Sequence, residues 1–62
     1  MPYIEFKATD RRFTDPTVAE RLIATLTDAA CEVLGEDARP SIWVVIQGIP
    51  AQQWGVGGNP LS

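Results

Sequence analysis

Ser41-Ile42-Trp43-Val44-Val45-Ile46-Gln47 is the stretch on which the fold turns. It is rich in β-branched residues and has no polar alternation, the pattern of a central strand covered on both faces. Ile42, Val44 and Ile46 fall on one face, and Trp43, Val45 and Gln47 on the other. Upstream, Thr14 or Asp15 supplies a capping oxygen before Pro16, a residue suited to the first helical position because it has no N–H to leave unpaired. Val18, Ala19, Leu22, Ile23, Leu26, Ala29, Ala30, Val33 and Leu34 then recur near a 3.6-residue period, and Gly35 offers a C-terminal cap. About nineteen residues at about 1.5 Å each predict a helix of roughly 28 Å. Residues 36–40 read as a turn.

At the start of the chain, Ile4, Phe6 and Ala8 alternate with Tyr3, Glu5 and Lys7, the period-2 signature of a half-buried strand. Thr9-Asp10-Arg11-Arg12-Phe13 reads as a polar, irregular link. Strand, helix and strand give an α/β fold: a βαβ unit with parallel strands and a right-handed crossover, forming one domain over residues 1–62. Beyond Gly48-Ile49-Pro50, the three glycines around Val56 in Gly55-Val56-Gly57-Gly58 suit a tight C-terminal β-hairpin. A phosphate loop does not fit there, because such loops lie between a strand and a following helix.

One helix covers one face of a two-stranded sheet, so the face bearing Trp43 and Val45 calls for another subunit. Size leads to the same place. A chain of 62 residues buries only about 60% of its unfolded surface and needs a staple or partners. Cys31 is the only cysteine and there is no histidine, which excludes an intrachain disulfide and leaves no recognisable zinc or iron site. Oligomerisation remains, and 45% hydrophobic residues supply the surface for it. Eight acidic residues against Lys7, Arg11, Arg12, Arg21 and Arg39 give a net charge of −3, without the basic patch of a nucleic-acid binder. The longest apolar run, at residues 42–46, is far short of the roughly 20 residues that span a bilayer. With no leader pattern ahead of the first strand, the expectation is a soluble, cytoplasmic chain with no membrane partner.

Pro2 is the residue with a candidate chemistry. Methionine is normally trimmed before proline, and trimming here exposes a secondary amine. An α-amine has a reference pKa of about 7.7–8.0, and an apolar, cation-lined pocket lowers it toward neutrality, where a general base works best. The structural alternative is a proline that blunts the start of an edge strand. For other residues the structural reading leads. Cys31, at the edge of the helical stripe, is a small packing residue. Tyr3 and Phe13 are core or interface aromatics, and Glu5 with Lys7 reads as a cross-strand ion pair.

Pro2 before the first strand, an arginine ten residues later, a βαβ unit and the segment Trp54-Gly55-Val56-Gly57-Gly58 together resemble the 4-oxalocrotonate tautomerase family. The resemblance runs over about residues 2–58. It implies an isomerase that needs no cofactor, acts on small 2-oxo or 2-hydroxy acids and assembles as a homo-oligomer, a hexamer built as a trimer of dimers. By resemblance Pro2 is the general base moving a proton between an enol oxygen and carbon. Arg12 falls on the arginine that binds a substrate carboxylate, with Arg11 as the alternative after a one-residue slip. Trp54 takes the place of the pocket aromatic that keeps the site dry.

The chain departs from the family pattern at Trp43, which stands where well-studied members place a second arginine. An indole offers one N–H and no charge where a guanidinium offers a bidentate, charged contact. The expected substrate is therefore a monocarboxylate or a more apolar enol rather than a diacid. Arg39 is the one cation near enough in sequence to substitute, although its place beside Pro40 reads as a solvated turn. Two function classes follow. The first is a tautomerase, or a relative catalysing hydration, dehalogenation or decarboxylation with the same proline. The second is a helper subunit of a tautomerase-like hetero-oligomer.

Overall fold

The alternation at the N-terminus becomes strand β1, Tyr3–Thr9, with Ile4, Phe6 and Ala8 half-buried and Tyr3, Glu5 and Lys7 exposed. A computed structural model of the chain describes residues 1–61. The polar link after β1 is more ordered than its composition suggests: Asp10–Phe13 forms a 3₁₀ turn.

Helix α1 spans Pro16–Leu34, and its cap is Asp15 rather than Thr14. Asp15 Oδ1 accepts from the Thr17 backbone N–H at 2.9 Å and from the Thr17 hydroxyl at 2.8 Å. These bonds hold the Asp15 carboxyl below its usual pKa range. Gly35 ends the helix at φ 97°, a conformation costly for residues with a Cβ, and its N–H donates to the Cys31 carbonyl at 2.8 Å.

The buried arc of α1 is narrower than the apolar pattern implies. Val18, Ala19, Leu22, Leu26 and Ala30 are half-buried and Cys31 is 3% exposed, at the centre of the stripe and not its edge. Ile23, Ala29, Val33 and Leu34 face outward, Val33 with 85% exposure. The sheet beneath has two strands, about 5 Å apart, and fills only part of a helical circumference. Val33 sits about 200° around the helix from Cys31, beyond its reach.

After α1 the expected turn is a 3₁₀ segment, Glu36–Ser41. Arg39 grips Glu36 through two bonds of 3.0 Å and reaches Asp28 of α1 at 2.9 Å. It thus stays exposed, as its place in the turn suggests, and is ion-paired on the helix side of the molecule.

This clamp also takes up Ser41, so strand β2 is Trp43–Ile49, two residues later than the expected 41–47. The faces are as anticipated, with Val44 and Ile46 half-buried and Trp43, Val45 and Gln47 exposed. β2 runs parallel to β1, pairing Tyr3 with Trp43, Glu5 with Val45 and Lys7 with Gln47. The βαβ unit is therefore complete, with α1 on one face of the sheet.

A further 3₁₀ turn, Ala51–Gln53, leads to an antiparallel hairpin of β3, Gly55–Val56, and β4, Asn59–Pro60. Gly57 and Gly58 occupy its tip at φ 62° and 89°, the positive pair that a two-residue type I′ turn requires. Among the described residues no helix is long and apolar enough to cross a membrane.

The chain is extended for its length. Its radius of gyration is 14.3 Å, against about 10.6 Å for a compact domain of this size. Its accessible surface is 4693 Å², against about 4,000 Å² from mass scaling. Tyr3, Trp43 and Val45 contribute to the excess on the open face of the sheet.

Candidate functional site

The parallel β1–β2 ladder gives the sheet a starting end and a finishing end, and the candidate residues divide between them. At the starting end Pro2 is half-buried. Its carbonyl accepts from the Trp43 backbone N–H at 3.0 Å, which fixes the residue before β1 against the first residue of β2. Trp43 is 56% exposed on the open face, beside Tyr3. While Met1 is attached, the Pro2 nitrogen is an amide with no basic lone pair. Its removal creates the amine.

At the finishing end, the Asp10–Phe13 turn carries Arg12 to the rim of a groove of about 440 Å³, lined also by Phe6, Ala8, Phe13, Val18 and Leu22. The groove is apolar apart from the guanidinium. No described carboxylate pairs with Arg12, which leaves it available to an anion. Arg11 is exposed and does not line the groove. Trp54 is half-buried past the end of β2, and its indole N–H donates to the Ile49 carbonyl at 3.1 Å. With its one donor committed, Trp54 offers an apolar ring and no hydrogen bond.

Pro2 and Arg12 of one chain therefore do not meet. The seven residues of β1 lie between them, roughly 23 Å of strand at about 3.3 Å per residue.

A row of polar side chains runs along β1 on the open face. The Tyr3 hydroxyl donates to Glu5 Oε2 at 2.9 Å, and Lys7 Nζ lies 3.3 Å from Glu5 Oε1. The bond from Tyr3, then the bond and charge of Lys7, hold the Glu5 carboxyl low, while Glu5 raises the Tyr3 phenol. Glu5 and Lys7 are thus neighbours along one strand rather than a cross-strand pair.

Gly48 joins the site as a residue that composition alone passes over. A Cβ there would stand 2.9 Å from Phe13 Cδ2 and 3.1 Å from Asp10 Cα. The bare backbone of β2 is what lets the Asp10–Phe13 turn close down, and with it Arg12. A glycine inside an apolar strand is a recognised sign of such close approach.

Comparison with known proteins is consistent along the whole chain. A family model described as tautomerase enzyme matches residues 2–62. A probable tautomerase of Ralstonia nicotianae is 42% identical over 62 residues, spanning 100% of this chain and 84% of the relative. Among solved structures, the 4-oxalocrotonate tautomerase homologue TomN of the tomaymycin biosynthetic pathway superposes with a TM-score of 0.81 at 28% identity, covering 97% of this chain and 88% of that one. A structure from work on the 4-oxalocrotonate tautomerase isozymes of Methylibium petroleiphilum gives 0.78 at 22% identity, covering 97% and 92%, and supports the fold alone.

Proposed function

The chain belongs to the tautomerase family, and from that premise we propose that it is a cofactor-independent keto–enol isomerase whose base is the amine of Pro2. The substrate is a 2-hydroxydienoate or an enolpyruvate-type acid. The unprotonated amine takes the proton from the enol hydroxyl, the oxygen electron pair forms the C=O bond, and the alkene carbon recovers the proton from the prolinium. Nothing is oxidised and no group is lost. Arg12 holds the substrate carboxylate and favours the enolate-like charge that develops beside it. The Trp54 ring and the apolar groove exclude water, which keeps the base near neutrality and strengthens the guanidinium's pull.

The observation carrying this reading is the placement of an unpaired guanidinium on an apolar groove at one end of the sheet, with Pro2 tied down at the other. A complete site then takes Pro2 from one chain and Arg12 from another, so the active form is a homo-oligomer, a hexamer in our reading, in the cytoplasm. Trp43 in place of a second cation favours substrates with one carboxylate. The same substitution supports a second reading, a helper subunit whose partner chain supplies the missing arginine.

The test is Pro2→Ala, with Met1 removed from both proteins and circular dichroism confirming equal folding. Against a panel of 2-hydroxydienoates and phenylenolpyruvate, the variant should lose roughly 100-fold or more in kcat, the usual worth of a positioned base. Equal rates in the two proteins would remove Pro2 from the mechanism, and no turnover in either would favour the helper subunit.

A further inference from the structure

Arg39 joins carboxylates of two different elements, and the reaction proposed above makes no use of it. Its Nε donates to Glu36 Oε1 and its Nη2 to Glu36 Oε2, each at 3.0 Å, while Nη1 lies 2.9 Å from Asp28 Oδ1 of α1. We propose that Arg39 is a positioning residue for Pro2, acting from the helix side of the sheet through the backbone of residues 39–43 and without touching substrate. Its effect on turnover rests on the function proposed above for Pro2.

The path is short and made of backbone bonds. The Arg39 carbonyl accepts from the Ile42 N–H at 3.2 Å, the bond that closes the 3₁₀ segment and turns the chain into β2. Ile42 is extended, at φ −85° and ψ 123°, and half-buried. The next N–H, that of Trp43, donates to the Pro2 carbonyl at 3.0 Å. Trp43 is also the first residue of β2, paired with Tyr3. Where Trp43 stands therefore sets where Pro2 stands, and Arg39 holds the segment from which Trp43 emerges.

A 3₁₀ segment is a weak foundation for such a relay. Its hydrogen bonds are poorly aligned and runs beyond about four residues are uncommon, yet Glu36–Ser41 has six residues. Pro40 within it has no N–H to contribute. Arg39 adds side-chain support, tying the segment to itself at Glu36 and to α1 at Asp28. An isolated surface ion pair contributes little, but a bidentate fork joined to a third contact is the geometry in which such pairs count. The bond to Glu36, then the one to Asp28, raises the Arg39 guanidinium, and Arg39 in turn lowers the Glu36 carboxyl.

The finishing end of the sheet has supports of its own. The turn bearing Arg12 rests on Gly48, and the Trp54 backbone N–H donates to the Ala51 carbonyl at 3.1 Å. Loosening the Arg39 contacts should therefore displace the base and leave the carboxylate anchor in place. A general loss of stability would not give that split.

Arg39→Ala and Arg39→Lys, with Met1 removed from them and from the parent, supply the test. In Arg39→Ala, hydrogen exchange followed by NMR should show the Ile42 and Trp43 amides opening about five-fold more readily, the upper worth of an exposed ion-pair contact, with the Trp54 amide at its parent rate. The same variant should lose about five-fold in kcat with KM within about two-fold of the parent. Arg39→Lys, which keeps the charge without the fork, should recover part of both effects. Faster exchange at Ile42, Trp43 and Trp54 alike, with kcat per folded molecule unchanged, would make Arg39 a stabilising surface residue only and overturn the proposal. Parent-like exchange in Arg39→Ala, or a raised KM with kcat intact, would overturn it as well. Exchange is read without substrate, so a parent that turns nothing over, yet whose Ile42 and Trp43 amides respond as expected, would remove Pro2 as the base while supporting its positioning by Arg39.

Discussion

The two ends of the sheet are built to different standards. At the finishing end, Gly48, Phe13 and Asp10 are packed as closely as backbone allows, Trp54 is bonded to Ile49, and Leu61 N–H returns to the Trp54 carbonyl at 3.0 Å. Arg12 stands on this framework. At the starting end, one backbone bond holds Pro2, and Trp43 and Tyr3 stand exposed beside it. One end is a packed groove with a guanidinium on it, and the other is an open face around a proline.

The sharpest way to break the contrast is to give the starting end a cation. Trp43→Arg should raise kcat/KM for a dicarboxylate about ten-fold or more relative to its monocarboxylate counterpart, because the second carboxylate gains a charged partner where it now has none. A parent enzyme already faster on the diacid would show that Trp43 does not face the substrate. A subtler probe loosens the finishing end. Gly48→Ala places a methyl against Phe13 and the Asp10 backbone, an overpacking that costs about 1–3 kcal/mol. The Asp10–Phe13 turn should yield, raising KM several-fold through Arg12 with a smaller change in kcat. An unchanged KM with lowered stability would show that Arg12 does not hold the substrate.

The smallest effect concerns the frame that both ends share. Asp15 at the head of α1, Glu36 under Arg39 and Glu5 beside Tyr3 all have carboxyls held below their ordinary values of 3.8, 4.5 and 4.5. A depressed folded-state pKa means that the unfolded chain binds protons first. The stability these groups contribute is complete above the ordinary carboxylate range and is lost as pH falls through the lower folded values. Tm measured at low salt should therefore be flat near neutrality and decline below about pH 4.5. All three groups are exposed, so the decline should be shallow.

What could be read in the sequence followed how local each determinant is. Helix α1 announces itself through Asp15, Pro16 and Gly35, residues that act on their immediate neighbours, and β1 through strict alternation. β2 slid by two residues because Ser41 and Ile42 look like strand in isolation, whereas the segment holding Arg39 against Asp28 claims Ser41 for a 3₁₀ turn. The order in the Asp10–Phe13 turn was hidden because its support is Gly48, thirty-five residues beyond Phe13. Pro2, Arg12, Trp43 and Trp54 could be nominated from the chain. Their division between two ends of a sheet follows from the parallel strands that the sequence predicts, whereas the packing of the Asp10–Phe13 turn on Gly48, which positions Arg12, does not.

The two tryptophans also divide along this line, Trp43 bare on the open face and Trp54 half-buried with its indole N–H bonded to Ile49. They are the only indoles in the chain, so a single chain carries one exposed emitter at the starting end and one half-buried emitter at the finishing end. Quencher access and emission wavelength therefore report separately on two parts of the molecule: any covering of the open face, through Trp43, and the loss of tertiary structure, through Trp54.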